Sequence, residues 1–269
     1  MNCCICGPVK NCEKYLYKVL KNVEKIGNIF NDYRIIIFYD HSTDNTLDIL
    51  KKYSKENEKL SFYVNNRKLY KFRTHNLAYA RNFCLSYVFK KKNQFPFFIM
   101  MDFDDVNCKN CNPEILKQYL HRTDWDGLSF NTSPKYYDVW GLSIYPYCFS
   151  YNHFTNNVQQ YKVIQNYVAT LLSKLPPGQL LPCISAFNGF AIYRTSHFLN
   201  TYYDGSIRRD LIPYSNMRAH KIAAQSPLIF KKYITVDGRY EDCEHRAFHI
   251  QASNNSGAII RISPEVLFE

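Results

Sequence analysis

A doubly wound α/β fold, with a mainly parallel sheet and helices on both faces, is what this sequence of 269 residues predicts. Strand-like and helix-like segments alternate through its N-terminal part, and the apolar run Phe97-Phe98-Ile99-Met100-Met101 passes directly into Asp102, Asp104 and Asp105. Bulky apolar residues in an unbroken row suit a strand buried on both faces, and open α/β sheets bind ligands beyond the carboxyl ends of such strands. A hydrophobic share of 46% at this length is enough for one large core, or for a domain with an appended subdomain. With only 9 Gly and 11 Pro, neither a disordered nor a low-complexity class fits.

The elements follow in order. Cys3 to Gly7 is a short apolar strand, after which Leu16, Val19, Leu20, Val23 and Ile26 recur at helical spacing. Arg34 to Tyr39 is a β-branched strand ending at Asp40, and Ser42, Thr43 and Asp44 offer caps for a helix through Leu47, Leu50 and Tyr53. Leu60 to Asn65 is a third strand. Leu77, Ala80, Cys84, Leu85 and Val88 mark a helix that leads into the Phe97 to Met101 strand, giving the order β-α-β-α-β-α-β. Asn112 and Pro113 read as an N-cap followed by proline at the first helical position, opening a helix through Leu116 and Leu120. From Gly127 the texture changes to short aromatic strands, an amphipathic segment from Val158 to Leu175, and a break at Pro176-Pro177-Gly178. Residues 1–126 are therefore expected to form one half and 127–269 a second half that carries the variable substrate.

A formal charge of +11 invites a nucleic-acid reading. The basic residues are spread along amphipathic segments, however, and Lys90-Lys91-Lys92 suits a solvated helix end, so a field that collects an anionic small substrate is the better expectation. The chain opens Met1-Asn2-Cys3-Cys4, with no basic-then-apolar leader and no apolar run of bilayer length, which predicts a cytoplasmic protein with no integral membrane segment. Of its 10 cysteines, Cys3, Cys4 and Cys6 are too close for an ordinary disulfide framework, and Cys108 and Cys111 form one Cys-x-x-Cys pair without two further zinc ligands. Reduced intracellular thiols are expected.

Alternation along an extended strand places Asp102 and Asp104 on one side, where two hard oxygen ligands suit a divalent cation that itself holds a diphosphate. The plain alternative is a solvated acidic turn. Asp40, at the end of its strand, suits a hydrogen bond from a base or ribose, and the alternative is helix capping alone. Arg73 and Arg81 enter the acidic strand on one segment and suit the flanks of a diphosphate, or else are surface arginines. Gly189 would let a ligand approach the backbone closely. The run Arg239-Tyr240-Glu241-Asp242-Cys243-Glu244-His245-Arg246-Ala247-Phe248-His249 is dense in titratable groups. On a helix Glu241 and His245 lie at i and i+4, as do His245 and His249, so one face would present a carboxylate and two imidazoles. A salt-bridged surface helix is the alternative. Trp140, Phe187 and Phe190 suit sugar faces or the core.

Taken in order, these segments resemble a nucleotide-sugar-dependent glycosyltransferase of the GT-A fold. The strand-loop from Ile5 through Pro8 to Asn11, the stretch Asp40 to Thr46, Ala80-Arg81-Asn82 and Asp102 to Asp105 are similar to the donor half of that family. Tyr137-Asp138-Val139-Trp140, Ser185 to Phe190 and Cys243-Glu244-His245 are similar to the acceptor half. The likeness is to uncharacterised glycosyltransferases of large DNA viruses and protists, with the Ala-Arg-Asn and acidic motifs shared with fungal α-mannosyltransferases. The resemblance implies a Rossmann-like sheet with a smaller acceptor-side subdomain, and a location in a cytoplasm, host cytoplasm or virion. It implies a UDP-sugar or GDP-mannose donor, a glycan, glycoconjugate or protein acceptor, and manganese or magnesium as cofactor. Donor contacts would come from Pro8, Asn11, Asp40, Arg73, Arg81, Asp102 and Gly189, and metal ligands from Asp102, Asp104, His245 and His249, with Asp105 supporting. Asp138, Trp140 and Phe187 would face the acceptor. Asp242 or Glu244 would serve as general base if the transfer inverts configuration; in a retaining transfer the diphosphate itself takes the proton. A sugar-1-phosphate nucleotidyltransferase would want a more glycine-rich loop than Gly7-Pro8-Val9-Lys10, and a non-catalytic glycan or nucleic-acid module would not need the intact carboxylates.

Overall fold

Phe97 to Met101 are all buried, and as β4 (Phe97–Met101) they lie near the middle of an eight-stranded sheet. The structure is a computed structural model, and it describes residues 1–149, 159–225 and 241–269. The sheet begins with β1 (Asn2–Val9), β2 (Asp32–Tyr39) and β3 (Leu60–Val64), which pair in parallel with one another and, through β1, with β4, in the spatial order β3-β2-β1-β4. It continues through β5 (Gly127–Asn131), β6 (Leu181–Pro182), β7 (Phe190–Arg194) and β8 (Ile260–Val266) in the order β4-β7-β5-β8-β6. β7 runs antiparallel to β4 and β5, β5 parallel to β8, and β6 antiparallel to β8. The doubly wound, mainly parallel GT-A sheet expected from the sequence is found.

The parallel strands are covered on both faces. Residues Cys3, Ile5, Phe97, Ile99 and Met101 point to one face, where they pack with α1 (Glu13–Gly27), α2 (Thr46–Glu56) and α4 (Pro113–Tyr119). Cys4, Cys6, Phe98 and Met100 point to the other, against α3 (Arg73–Lys90) and, further along, α7 (Glu244–Ser256). Each bulky side chain removed from water in this way contributes about 1.5–3 kcal/mol. A separate apolar cluster joins Tyr136 to Ile144 with Val168 and Leu172 of α5 (Gln159–Ser173), and a fourth gathers Cys148, Phe149, Ile212 and Ile250 beside α6 (Tyr214–Ala224). No helix among the described residues is long and apolar enough to cross a membrane.

Three local expectations change. Of the expected caps of α2 only Asp44 serves, its Oδ1 accepting from the Thr46 N–H at 3.1 Å while its Oδ2 accepts from the Glu13 N–H; Asn45 takes the cap position without a side-chain bond, and Ser42 and Thr43 are engaged with Asn11 across the neighbouring loop. α7 begins only at Glu244, so Glu241 lies outside the helix, bridged to Ser206, and does not share a face with His245. Every residue from Glu244 to Ala252 is buried, which removes the surface-helix alternative. Val158, Arg239 and Tyr240 lie outside the described residues. By contrast Asn112 caps α4 as expected, its side chain accepting from the Glu114 N–H with Pro113 at the first helical position.

Gly7 is where β1 and β4 converge at the carboxyl edge, and a Cβ there would sit 2.0 Å from the Met101 carbonyl oxygen. Gly7→Ala is expected to destabilise the fold by about 1–3 kcal/mol. A urea midpoint equal to that of the wild type would show that the edge is more loosely built.

Candidate active site

Parallel strands present their last carbonyls and first loop residues at one edge, so the loops after β1, β2, β3 and β4 meet there. Between them lies a cleft of about 630 Å³, lined by Pro8, Lys10, Asp40, Asn65, Arg73, Asp102 and Asp104 among others. The backbone fixes the walls: the Asp40 N–H donates to the Val9 carbonyl, the Asn65 N–H to the Tyr39 carbonyl, and the Asp102 N–H to the Gly189 carbonyl.

At one end Asp40 accepts from Lys10 Nζ at 3.0 Å and from Asn65 Nδ2 at 3.0 Å. Asn11, at φ 50°, does not line the cleft; its side-chain oxygen accepts from the Thr43 N–H at 2.8 Å and locks the β1 loop to the β2 loop. Arg73, the first residue of α3, stands at the rim. Lys10 and Asn65 were not singled out from sequence, although each occupies the same position relative to its strand as Asp40.

At the other end the acidic loop turns under Asp102 and Asp104. Burial and the neighbouring Asp102 and Asp105 charges push Asp104 up to about 7, against one weak hydrogen bond from the Val106 N–H at 3.3 Å. A carboxylate so destabilised in its charged form is one that a cation would relieve. Asp102 gives Oδ1 to Arg81 Nη2 at 2.9 Å. Among the described residues no three His, Cys, Asp or Glu side chains converge to hold a metal ion. Asp102 and Asp104 nevertheless fit a magnesium- or manganese-type ion, which takes one or two protein carboxylates and completes its shell with phosphate oxygens and water.

The expected imidazole ligands are not brought to this loop. His249 lies in the core with Nδ1 2.9 Å from Ser185 Oγ and Nε2 3.0 Å from the Tyr193 hydroxyl, and burial and Arg246 push it down to about 3. His245 is stacked on Phe187 with ring centroids 3.7 Å apart, and burial pushes it well down. Both turn inward because the whole first half of α7 is packed inside the protein. Phe187 is itself buried, between His245 and the Arg81 guanidinium, and offers no face to an acceptor. Gly189 does permit a close approach, but by protein: at φ 80° a Cβ would lie 2.7 Å from the Tyr137 hydroxyl.

Beneath the cleft two buried arginines organise the acids. Arg81 is not a surface residue and does not flank the cleft; Nε donates to Glu244 at 2.9 Å while Nη2 holds Asp102. Burial raises the Glu244 pKa, and Arg81 opposes the rise. Arg246 Nε donates to Asp242 at 2.8 Å, and its other nitrogens reach the carbonyls of Trp140, Leu142 and Cys148 and the Ser143 hydroxyl. Arg246 thus binds Asp242 to the loop that carries Asp138 and Trp140. Asp138 is half-buried, accepts from the Gly141 N–H at 3.1 Å, and is raised mainly by burial. Asn188, at φ 56°, holds this loop by accepting from the Tyr137 and Asp138 N–H groups.

Residues 4–171 match the family model described as Glycosyl transferase family 2. No curated protein matches the chain in sequence. Similar solved structures include TarS 1-349 of S. aureus in complex with UDP-GlcNAc, at 16% identity and TM-score 0.49, covering 100% of this chain and 57% of that one. TarS 1-349 in complex with UDP is 15% identical at TM-score 0.49, with 100% and 59% covered. The mannosyltransferase PcManGT of Pyrobaculum calidifontis, in complex with GDP-Man and Mn2+, is 12% identical at TM-score 0.42, with 76% and 47% covered. The chain therefore spans less than two thirds of the length of these structures.

Asp104 binds its proton up to a pH of about 7 in the fold, against 3.8 ordinarily. Between those values the folded state holds more protons than the unfolded state, so this group's contribution is fully present below pH 4 and is lost as pH rises through 7. In metal-free protein, Asp104→Asn is expected to gain stability over the wild type by roughly 1–2 kcal/mol between pH 5 and pH 8. Urea midpoints at the two pH values measure it; a difference independent of pH would contradict the assignment.

Proposed function

Because the chain belongs to glycosyl transferase family 2, we propose that it transfers a hexose from a nucleoside-diphosphate sugar, a UDP-sugar or GDP-mannose, to a hydroxyl of a glycan, glycoconjugate or protein. The observation that carries this reading is the cleft itself: one opening at the carboxyl ends of parallel strands, with Asp40 at one end and Asp102 and Asp104 at the other. In this reading residues 1–126 hold the donor and 127–269 the acceptor.

Asp40, oriented by Lys10 and Asn65, accepts hydrogen bonds from the nucleoside. Lys10 and Arg73, together with the start of α3, offset the diphosphate charge from the cleft wall. Asp102 and Asp104 would hold a divalent ion, which would supply Lewis-acid stabilisation of the departing nucleoside diphosphate. Asp242 takes the proton of the attacking acceptor hydroxyl. Asp242 and Glu244 are equally buried and each is paired with an arginine; what favours Asp242 is that its partner, Arg246, ties it to the loop bearing Asp138 and Trp140, whereas Arg81 ties Glu244 to Asp102. Asp138 is the second reading for the base, since burial raises its proton affinity and its bonds among the described residues are to backbone N–H groups such as that of Gly141.

Purified protein with manganese, screened against UDP-, GDP- and CMP-sugars, is expected to be thermally stabilised by one nucleotide family and to hydrolyse that donor slowly. Asp104→Ala is expected to lose the metal-dependent part of both effects, with turnover down at least roughly 100-fold. Asp242→Asn should lose turnover and keep donor affinity, while Asp138→Asn loses less. The reverse order would move the base to Asp138, and indifference to every donor would reject the reading.

A further inference from the structure

Arg81 is 2% exposed, in the interior of α3, and its guanidinium is shared between two carboxylates that belong to different parts of the chain. Nη2 donates to Asp102 Oδ1 and Nε to Glu244 Oε1, each at 2.9 Å, and the guanidinium sits 4.6 Å from the Phe187 ring centroid. Desolvation works against its charge, and Asp102 and Glu244 more than offset this. Glu244 is also 2% exposed and does not line the cleft, so it reaches the donor only through Arg81. A second tie fixes the same joint: Glu241 accepts from the Thr74 N–H at 3.2 Å and from its hydroxyl at 2.7 Å, so the entry to α7 is fastened to α3 on both sides of Asp242.

Resting on the reading of Asp102 as a cation ligand, we propose that Arg81 is a positioning residue through which Glu244 sets how strongly the acidic loop holds a divalent cation. A guanidinium balanced by two carboxylates leans only partly on each. With Glu244 neutral, the whole positive charge leans on Asp102, weakens its potential for a cation and draws its carboxylate toward α3. The carboxylate of Glu244 is then a counter-charge, not a proton acceptor.

The test is direct manganese binding, read from the spin-resonance signal of the free aqueous ion, with melting curves as the check on folding. Glu244→Gln is expected to raise the manganese dissociation constant at least fivefold, and the same change in an Arg81→Gln background to alter it less than twofold. Should Arg81→Gln not fold, Arg81→Lys replaces it. An ammonium cannot fork to both carboxylates, so the effect of Glu244→Gln on the logarithm of the constant should fall by at least half in that background. A lowered melting temperature with an unchanged manganese constant would make the pair purely structural and overturn the proposal. So would an equal effect in both backgrounds, which is simple long-range charge loss. Wild-type protein that binds no manganese would overturn the cation reading as well, whereas wild-type binding with an unresponsive Glu244→Gln overturns this proposal alone.

Discussion

The positive charge of a guanidinium buried beneath the cleft, that of Arg81, is compensated there by two carboxylates, Asp102 and Glu244. Losing one partner of such a buried pair leaves an uncompensated charge and costs about 3–5 kcal/mol. That requirement fixes more than two side chains. Asp102 follows β4 and Glu244 opens α7, so the acidic loop and the C-terminal helix must dock on α3 together. The helix is pulled inside for its whole first half, and the imidazoles it carries are drawn away from the cleft with it.

Arg246 makes a parallel demand on the loop after β5. Its contacts with Asp242 and with carbonyls of the loop from Trp140 to Cys148 tie this loop to α7, and they add to the backbone bridge between Ser143 and Ser185 that holds it from the other side. Asn188 holds the neighbouring turn in the same way. Arg81 on α3 and Arg246 on α7 thus give the cleft carboxylate Asp102 and the loop from Trp140 to Cys148 a common support.

The N-terminal half was legible because its signals are local. An apolar run with carboxylates at its end, helical periodicity from Leu16 to Ile26, and the Asn112-Pro113 start all depend on a few neighbouring residues, and all appear in the structure. The position of Asp40, Asp102 and Asp104 in one cleft follows from the same local pattern plus the parallel order of the strands. What sequence spacing could not supply was burial. Arg81, Phe187, His245 and His249 carry the chemistry of exposed ligands but lie in the core, and only the packing of α7 against α3 reveals that. Glu241 was misplaced for a related reason: its carboxylate is engaged by Thr74, far away in sequence, and the helix begins only at Glu244. Asn65 belongs to no motif and Lys10 was read only as part of the Ile5 to Asn11 strand-loop; their strand-end position was the available signal.

The most direct test of this account is a crystal structure of the protein grown with manganese and UDP or GDP. It is expected to show the nucleoside against Asp40, the diphosphate beside Lys10 and Arg73, and the ion bonded to Asp102 and Asp104 with no imidazole in its shell. A nucleotide seated elsewhere, or an ion bonded to His245 or His249 after rearrangement of α7, would contradict it.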